Sequence, residues 1–194
     1  MAKRSQLSAA DYTLSRREVQ KIIHAAVSFR DRCVVKTLYQ TALRRFELRA
    51  LDVRDIDWAK RRVHIPKGKG DKERHVFLTE DLAADLRHLL GRRRTGPVFQ
   101  SNRGTALSLK QINNIVAAAG EKAGVANPNP RLKHINPHLL RHSFARHWKD
   151  AGRSIESLSA VLGHQSTATT MDVYGREDID QVQANYEAVV EELV

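Results

Sequence analysis

A chain of 194 residues, 41% of them hydrophobic, has enough material for one ordinary domain or two small ones with a true core. It carries 33 Lys+Arg against 22 Asp+Glu, unevenly spread: residues 176–194 hold one Arg and six carboxylates, a net of −5, so the first 175 residues carry +16. A body that basic points to a polyanionic partner, nucleic acid foremost. A single cysteine, Cys33, excludes a disulfide framework and reads as intracellular. No apolar run approaches the ~18 residues of a membrane span, and the polar opening MAKRSQLSAADY lacks the apolar stretch of a signal peptide.

In chain order, residues 1–13 offer little to bury and are expected to form a flexible lead. Ser15-Arg-Arg-Glu18 is a capping box that predicts a helix start, with Val19, Ile22, Ile23 and Ala26 as its inner stripe. A second helix is predicted over about residues 31–43, with Val34, Val35, Leu38 and Ala42 inside. Ala42-Leu-Arg-Arg-Phe-Glu-Leu48 follows. On a helix, one residue of rotation turns Arg45 about 100° from Arg44, and by itself Arg44 would be a surface arginine. Val63-His-Ile65 and His75-Val-Phe-Leu78 are short β-type runs, and with a strand near residues 53–58 they predict a three-stranded antiparallel sheet. Between them, Pro66-Lys-Gly-Lys-Gly-Asp-Lys-Glu-Arg74 combines two glycines and an Asp with four cations, which is the chemistry of an exposed turn.

Thr79 caps a predicted helix to about residue 90, and Gly91-Arg-Arg-Arg-Thr-Gly96 is a basic loop. Residues 97–100 read as a short extended piece. Ser108-Leu-Lys-Gln111 is a second capping box, opening a helix to about residue 123 with Ile112, Ile115, Val116 and Ala119 inward. Asn127-Pro-Asn-Pro130 is a loop, and Arg131, Lys133 and His134 make the approach to the next segment basic.

That segment, residues 136–175, is the most informative. His138 and Arg141 share one helix face, and Leu140, Phe144 and Trp148 form the neighbouring buried stripe. Pro137 suits a first helical turn, and the helix should fade near residues 150–152. Ser154 caps a further helix with Ile155, Leu158, Val161 and Leu162 inward, ended by a left-handed Gly163. His164 then emerges past a helix end, and Ser166 caps a short helix with Tyr174 at its far end. His134, His138 and His142 repeat every four residues like a zinc set, but Pro137 separates His134 from the other two and no second ligand cluster exists, so no metal is expected. Finally, Ile179, Val182, Tyr186, Val189 and Leu193 mark an amphipathic tail helix with an acidic outer face.

His138-Leu-Leu-Arg141, Leu162-Gly163-His164 and Tyr174, in this order and at these distances, resemble the catalytic half of the tyrosine recombinases, the group of λ integrase and the Xer recombinases. Upstream, Ala42-Leu-Arg44 through Leu48 resembles the family's G-L-R-x-x-E-L, with Ala42 where Gly is commoner. Gly68-Lys69-Gly70-Asp-Lys72-Glu-Arg74 resembles its G-K-G-x-K-x-R. The resemblance implies a mostly helical α+β fold with a small three-stranded antiparallel sheet, a catalytic domain over residues 14–175 and a tail over 176–194, docked on its own chain or on a neighbouring protomer.

It further implies Arg44 and Arg141 as phosphate clamps, Lys69 as the acid for the leaving oxygen, His138 and His164 as phosphate-contacting or proton-handling groups, and Tyr174 as nucleophile. Lys67, Lys72 and Arg74 would touch DNA phosphates, joined by the basic residues Lys110, Arg131 and Lys133. The implied activity is site-specific cutting and rejoining of double-stranded DNA in the cytoplasm at the nucleoid, by dimers or tetramers and without cofactors. The alternatives are a type IB topoisomerase-like nicking-closing enzyme and a DNA-binding module that does not cut. Family members usually carry an N-terminal helical domain as well; this chain reads either as a naturally minimal recombinase or as a fragment of a longer protein.

Overall fold

The computed structural model of the chain describes residues 12–66 and 73–163. Most of the expected lead, the expected hairpin tip with Lys67, Lys69 and Lys72, and everything after Gly163, including His164, Tyr174 and the expected tail helix, lie outside the described residues. Within them the elements run α1 (Arg16–Ala25), α2 (Phe29–Thr41), α3 (Arg45–Ala50), a 3-10 turn (Val53–Asp55), β1 (Ile56–Asp57), β2 (Arg62–Ile65), β3 (Arg74–Phe77), α4 (Glu80–Leu90), α5 (Leu109–Lys122), α6 (Pro137–Asp150) and α7 (Ile155–Leu162). The sheet is antiparallel in the order β1-β2-β3, with Val63 opposite Val76 and Ile65 opposite Arg74. No helix among the described residues is long and apolar enough to cross a membrane.

The helix starts follow the caps. Ser15 and Ser108 each accept the backbone N–H three residues on, while Glu18 and Gln111 reach back to the cap. Thr79, Asn136 and Ser154 cap α4, α6 and α7. Each such side chain satisfies an amide that the helix leaves without an internal partner. The strand expected near residues 53–58 is shorter than that: Asp52 accepts from the amide of Arg54, and Asp55 accepts from the amide of Asp52, curling Val53–Asp55 into a 3-10 turn before β1 pairs.

Helix α2 is the hub, packed against α1, α4, α5 and α6. Its Val34, Val35 and Leu38 are fully enclosed with Ile22 of α1, Leu82 and Leu86 of α4, and Ile112 and Val116 of α5, each such side chain contributing about 1.5–3 kcal/mol of burial. Lys36 of α2 pairs with both Asp81 and Asp85 of α4. Burial, then Asp85, pushes the Cys33 thiol up to about 12, which leaves it an inert packing group. A second, smaller cluster joins Ala42, Ala145, Leu158 and Leu162, flanked by Phe144, Trp148 and Ile155, and so seats α7 on α6.

The end of α2 departs from the expectation. Ser28 caps the helix earlier than residue 31, and the helix stops at Thr41, because Ala42 turns left-handed at φ 51°. That conformation explains why glycine is commoner there: an L-residue with a Cβ pays about 1–2 kcal/mol in it. We expect Ala42→Gly to change stability by less than ~1 kcal/mol, since strain relief is offset by the lost buried methyl at ~0.8 kcal/mol and by a looser unfolded chain. Ala42→Val should cost more than ~2 kcal/mol, because a β-branched side chain resists positive φ and the site is fully enclosed. Urea unfolding followed by tryptophan fluorescence reads both; a valine variant as stable as the parent would refute the left-handed turn.

Candidate active site

Arg44 sits in the turn between α2 and α3. It is the N-cap of α3, with extended backbone (φ −72°, ψ 150°), so it is the cap geometry and not a helical rotation that separates it from Arg45. Glu47 accepts the Arg44 amide at 2.7 Å and lies 3.6 Å from its guanidinium. The Phe46 ring lies 6.0 Å from the same guanidinium, within reach of a cation–π attraction.

The other half of the site comes from α6. Asn136 accepts the Leu139 amide, and Pro137 occupies the first turn. His138 is therefore presented near the helix start, and Arg141 one turn later on the same side. Arg141 is only 4% exposed. Its Nη1 donates to the Ala42 carbonyl at 2.6 Å and its Nη2 to the Leu162 carbonyl at 2.8 Å. The left-handed turn at Ala42 thus does two things: it ends α2 and it offers a carbonyl to Arg141. Charge-assisted bonds to two carbonyls fix the plane of a guanidinium far better than one does.

Arg44, His138 and Arg141 line one cavity of about 570 Å³, together with Leu43, Arg45, Phe46, Asn113, Asn136 and Pro137. The His138 ring is exposed at the cavity mouth, but it stands in a recess. Desolvation first, then the charges of Arg141 and Arg44, lower its pKa, so it is neutral at physiological pH. A neutral imidazole can donate or accept a proton, and its ring is packed edge-on against His142 at 4.2 Å. The cavity thus offers the guanidinium charges of Arg44, Arg45 and Arg141 and a proton-exchanging group to an anion.

Of the residues expected to reach DNA, Lys110, Arg131 and Lys133 are exposed. Arg74 is a correction. It is 7% exposed and turned inward: Nη1 and Nη2 donate to the two oxygens of Glu47 at 2.7 and 2.9 Å, and Nε donates to the Val161 carbonyl at 2.8 Å. A guanidinium so occupied does not reach a phosphate at the surface. The physical reason is strand alternation: Arg74 and Val76 face in while His75 and Phe77 face out. Two residues were not foreseen: Glu47, which holds Arg44 without lining the cavity, and Asn113, which lines it. Glu47 falls in the R-x-x-E pattern, which carried a signal that was not used. Asn113 had none; its carboxamide oxygen is enclosed and accepts no hydrogen bond among the described residues.

Residues 12–180 match the model of the phage integrase family. The chain is 35% identical over 170 residues to the tyrosine recombinase XerC of Actinobacillus pleuropneumoniae serotype 7 (strain AP76), covering 85% of this chain and 53% of that protein. It is 33% identical over 162 residues to the XerC of Pelobacter propionicus (strain DSM 2379 / NBRC 103807 / OttBd1), covering 81% and 51%. The chain therefore spans about half the length of these curated relatives. Among solved structures, it superposes on the XerA recombinase with a TM-score of 0.75 at 28% identity, over 96% of this chain and 66% of that one. The Tn1549 transposon integrase in complex with transposon right end DNA superposes with a TM-score of 0.75 at 16% identity, over 98% and 69%, a likeness of fold alone.

Proposed function

Because the chain belongs to the phage integrase family, we propose that it is a site-specific DNA recombinase that cuts and rejoins duplex DNA through a 3′-phosphotyrosyl intermediate. The observation that carries this reading is the single cavity lined by Arg44, His138 and Arg141. The Tyr174 hydroxyl oxygen attacks the scissile phosphorus and gives up its proton, the bond from phosphorus to the 5′ oxygen breaks, and that oxygen leaves with a proton from Lys69. Arg44 and Arg141 hold the charge that grows on the non-bridging oxygens, each such donor being worth ~10²–10³ in rate. His138 and His164 contact the phosphate or carry the proton. Attack by a 5′-hydroxyl from another strand reverses the step, and the phosphotyrosyl bond conserves the energy, so the scheme requires no cofactor.

Lys67, Lys72, Lys110, Arg131 and Lys133 track the phosphates of duplex DNA in the cytoplasm at the nucleoid. Copies assemble as dimers or tetramers on paired sites. An apolar groove of about 980 Å³ runs along Phe77, Phe144, Trp148, Ala160 and Val161, and Phe77 is 54% exposed there. Its chemistry suits the apolar stripe of residues 179–193 from a neighbouring copy, a segment too short to hold as an isolated helix.

A two-site plasmid assay beside single-site cleavage tests the reading. The full chain should yield recombined plasmid, while a chain ending at residue 177 should still cleave a single site and fail to recombine. Relaxed plasmid without recombinants would favour a nicking-closing enzyme, and binding without either product would favour a module that does not cut. Lys69→Ala supplies a finer check. Loss of a general acid typically costs ~10²–10⁴ in rate. A 5′-bridging phosphorothiolate substrate, whose leaving group needs no proton, should restore most of it. Equal defects on both substrates would move Lys69 to phosphate binding.

A further inference from the structure

The cavity of about 570 Å³ is walled from three sides. The chain entering α3 supplies Arg44 and Arg45, the first turns of α6 supply His138 and Arg141, and α5 supplies a single residue, Asn113. Helix α5 packs against both α3 and α6, and Asn113 stands in its second turn, where it faces the space between them. Among the described residues no carboxylate lines this cavity. An asparagine inside a helix usually points to solvent or bonds back to the carbonyl of the preceding turn. Asn113 does neither with its oxygen: Oδ1 is shut off from solvent and accepts no hydrogen bond among the described residues. Leucine would fill the same volume without leaving an enclosed acceptor unpaired, so packing alone gives no reason for an amide there. The other end of the carboxamide, Nδ2, is not shut off and donates to no described residue, which leaves its N–H groups to the cavity. An asparagine that reads an adenine edge uses both ends of its amide. With Oδ1 enclosed, Asn113 can only donate, and a donor set among guanidinium charges selects an oxyanion.

We infer that Asn113 donates from Nδ2 to a non-bridging oxygen of the scissile phosphate, as a further donor beside Arg44 and Arg141. The inference rests on the recombinase reading above. The amide is neutral, so it adds little to the attraction of DNA to a basic surface. It acts where charge grows on oxygen during cleavage, from a helix that carries none of the other proposed catalytic groups and is held rigidly by the core through Ile112 and Val116.

The test uses the full 194-residue chain with Asn113→Leu, Asn113→Ala and Asn113→Asp. Leucine removes the donor at similar volume, alanine serves if leucine does not pack, and aspartate puts a charged acceptor in the same shape. DNA affinity and single-turnover cleavage of a nicked suicide duplex at saturating DNA are measured well below each thermal midpoint, so that loss of fold does not enter. The expected result is affinity for the leucine and alanine variants within about threefold of the parent. Their cleavage should be slower by ~10²-fold, the low end of the range for one preorganised donor, and the aspartate variant slower still. Duplexes with sulfur in place of either non-bridging oxygen of the scissile phosphate then locate the contact. For one of the two stereoisomers the ratio of parent to leucine-variant rate should fall by ~5-fold or more, while for the other it stays near ~10². A ratio unchanged in both stereoisomers overturns the inference. So does a folded leucine or alanine variant that cleaves ordinary DNA within about twofold of the parent. A parent chain that forms no covalent adduct overturns the recombinase reading instead, and this inference with it.

Discussion

Replacing Arg141 by lysine is expected to slow cleavage at saturating DNA by ~10²–10³, the range for loss of one preorganised donor to a developing oxyanion. The reason lies in the fork. Arg141 spans the Ala42 and Leu162 carbonyls with two different nitrogens while its plane lines the cavity. An ammonium is a point charge on a flexible stem and does not bridge two carbonyls and a phosphate in fixed geometry. One carbonyl left without its donor in a buried place also costs about 1–3 kcal/mol of stability. The thermal midpoint should therefore fall together with the rate, but a rate measured well below the new midpoint should still show the full catalytic loss. Affinity for DNA should change much less, because a single buried guanidinium adds little to a surface of +16. A lysine variant that cleaves normally at saturation would place Arg141 in the scaffold and outside the chemistry.

The same residue shows how the fold makes the site. Arg44 and Arg141 lie 97 positions apart in sequence and come from different places, the turn before α3 and helix α6. They meet because α2 packs against α6 and ends in a left-handed turn whose carbonyl Arg141 grips. Glu47 and Arg74 add the strand after the hairpin tip, and the last turn of α7 adds the point from which the chain goes on to His164. The catalytic groups of the proposed reaction are thus carried on short local pieces. Their relative placement depends on a few charge-assisted bonds between arginines and backbone carbonyls, and these tolerate little change in shape.

Much of this was legible in the sequence, and the parts that were not share a physical cause. Caps act within one helical turn, so Ser15, Thr79, Ser108 and Ser154 marked their helices correctly, and Pro137 marked the first turn of α6. The pairing of His138 with Arg141 also needed only helical spacing. The resemblance to tyrosine recombinases, together with Arg44 in its motif, brought the distant half of the cavity into view. What failed was anything that depends on a long-range partner. Arg74 looked like a solvated hairpin cation because charge says nothing about which strand face a residue takes. Carrying the alternation of Val76 and Leu78 back by one step would have put Arg74 inside. The left-handed turn at Ala42 was hidden because the apolar spacing of α2 continues through it, and alanine gives no hint of positive φ. Asn113 carried no pattern at all: it is a polar residue between the buried Ile112 and Val116 that happens to meet the cavity.

In the proposed reaction this chain cuts DNA by making a covalent bond to it through one tyrosine. The direct measurement is trapping on a nicked suicide duplex, whose short 5′ fragment diffuses away and blocks rejoining, followed by proteolysis and mass mapping of the attached peptide. The expected result is a slow-migrating protein–DNA adduct for the parent chain, a 3′-phosphate linkage on the peptide containing Tyr174, and no adduct for Tyr174→Phe at unchanged DNA affinity. An adduct formed by the phenylalanine variant, or a linkage mapped to another residue, would contradict it.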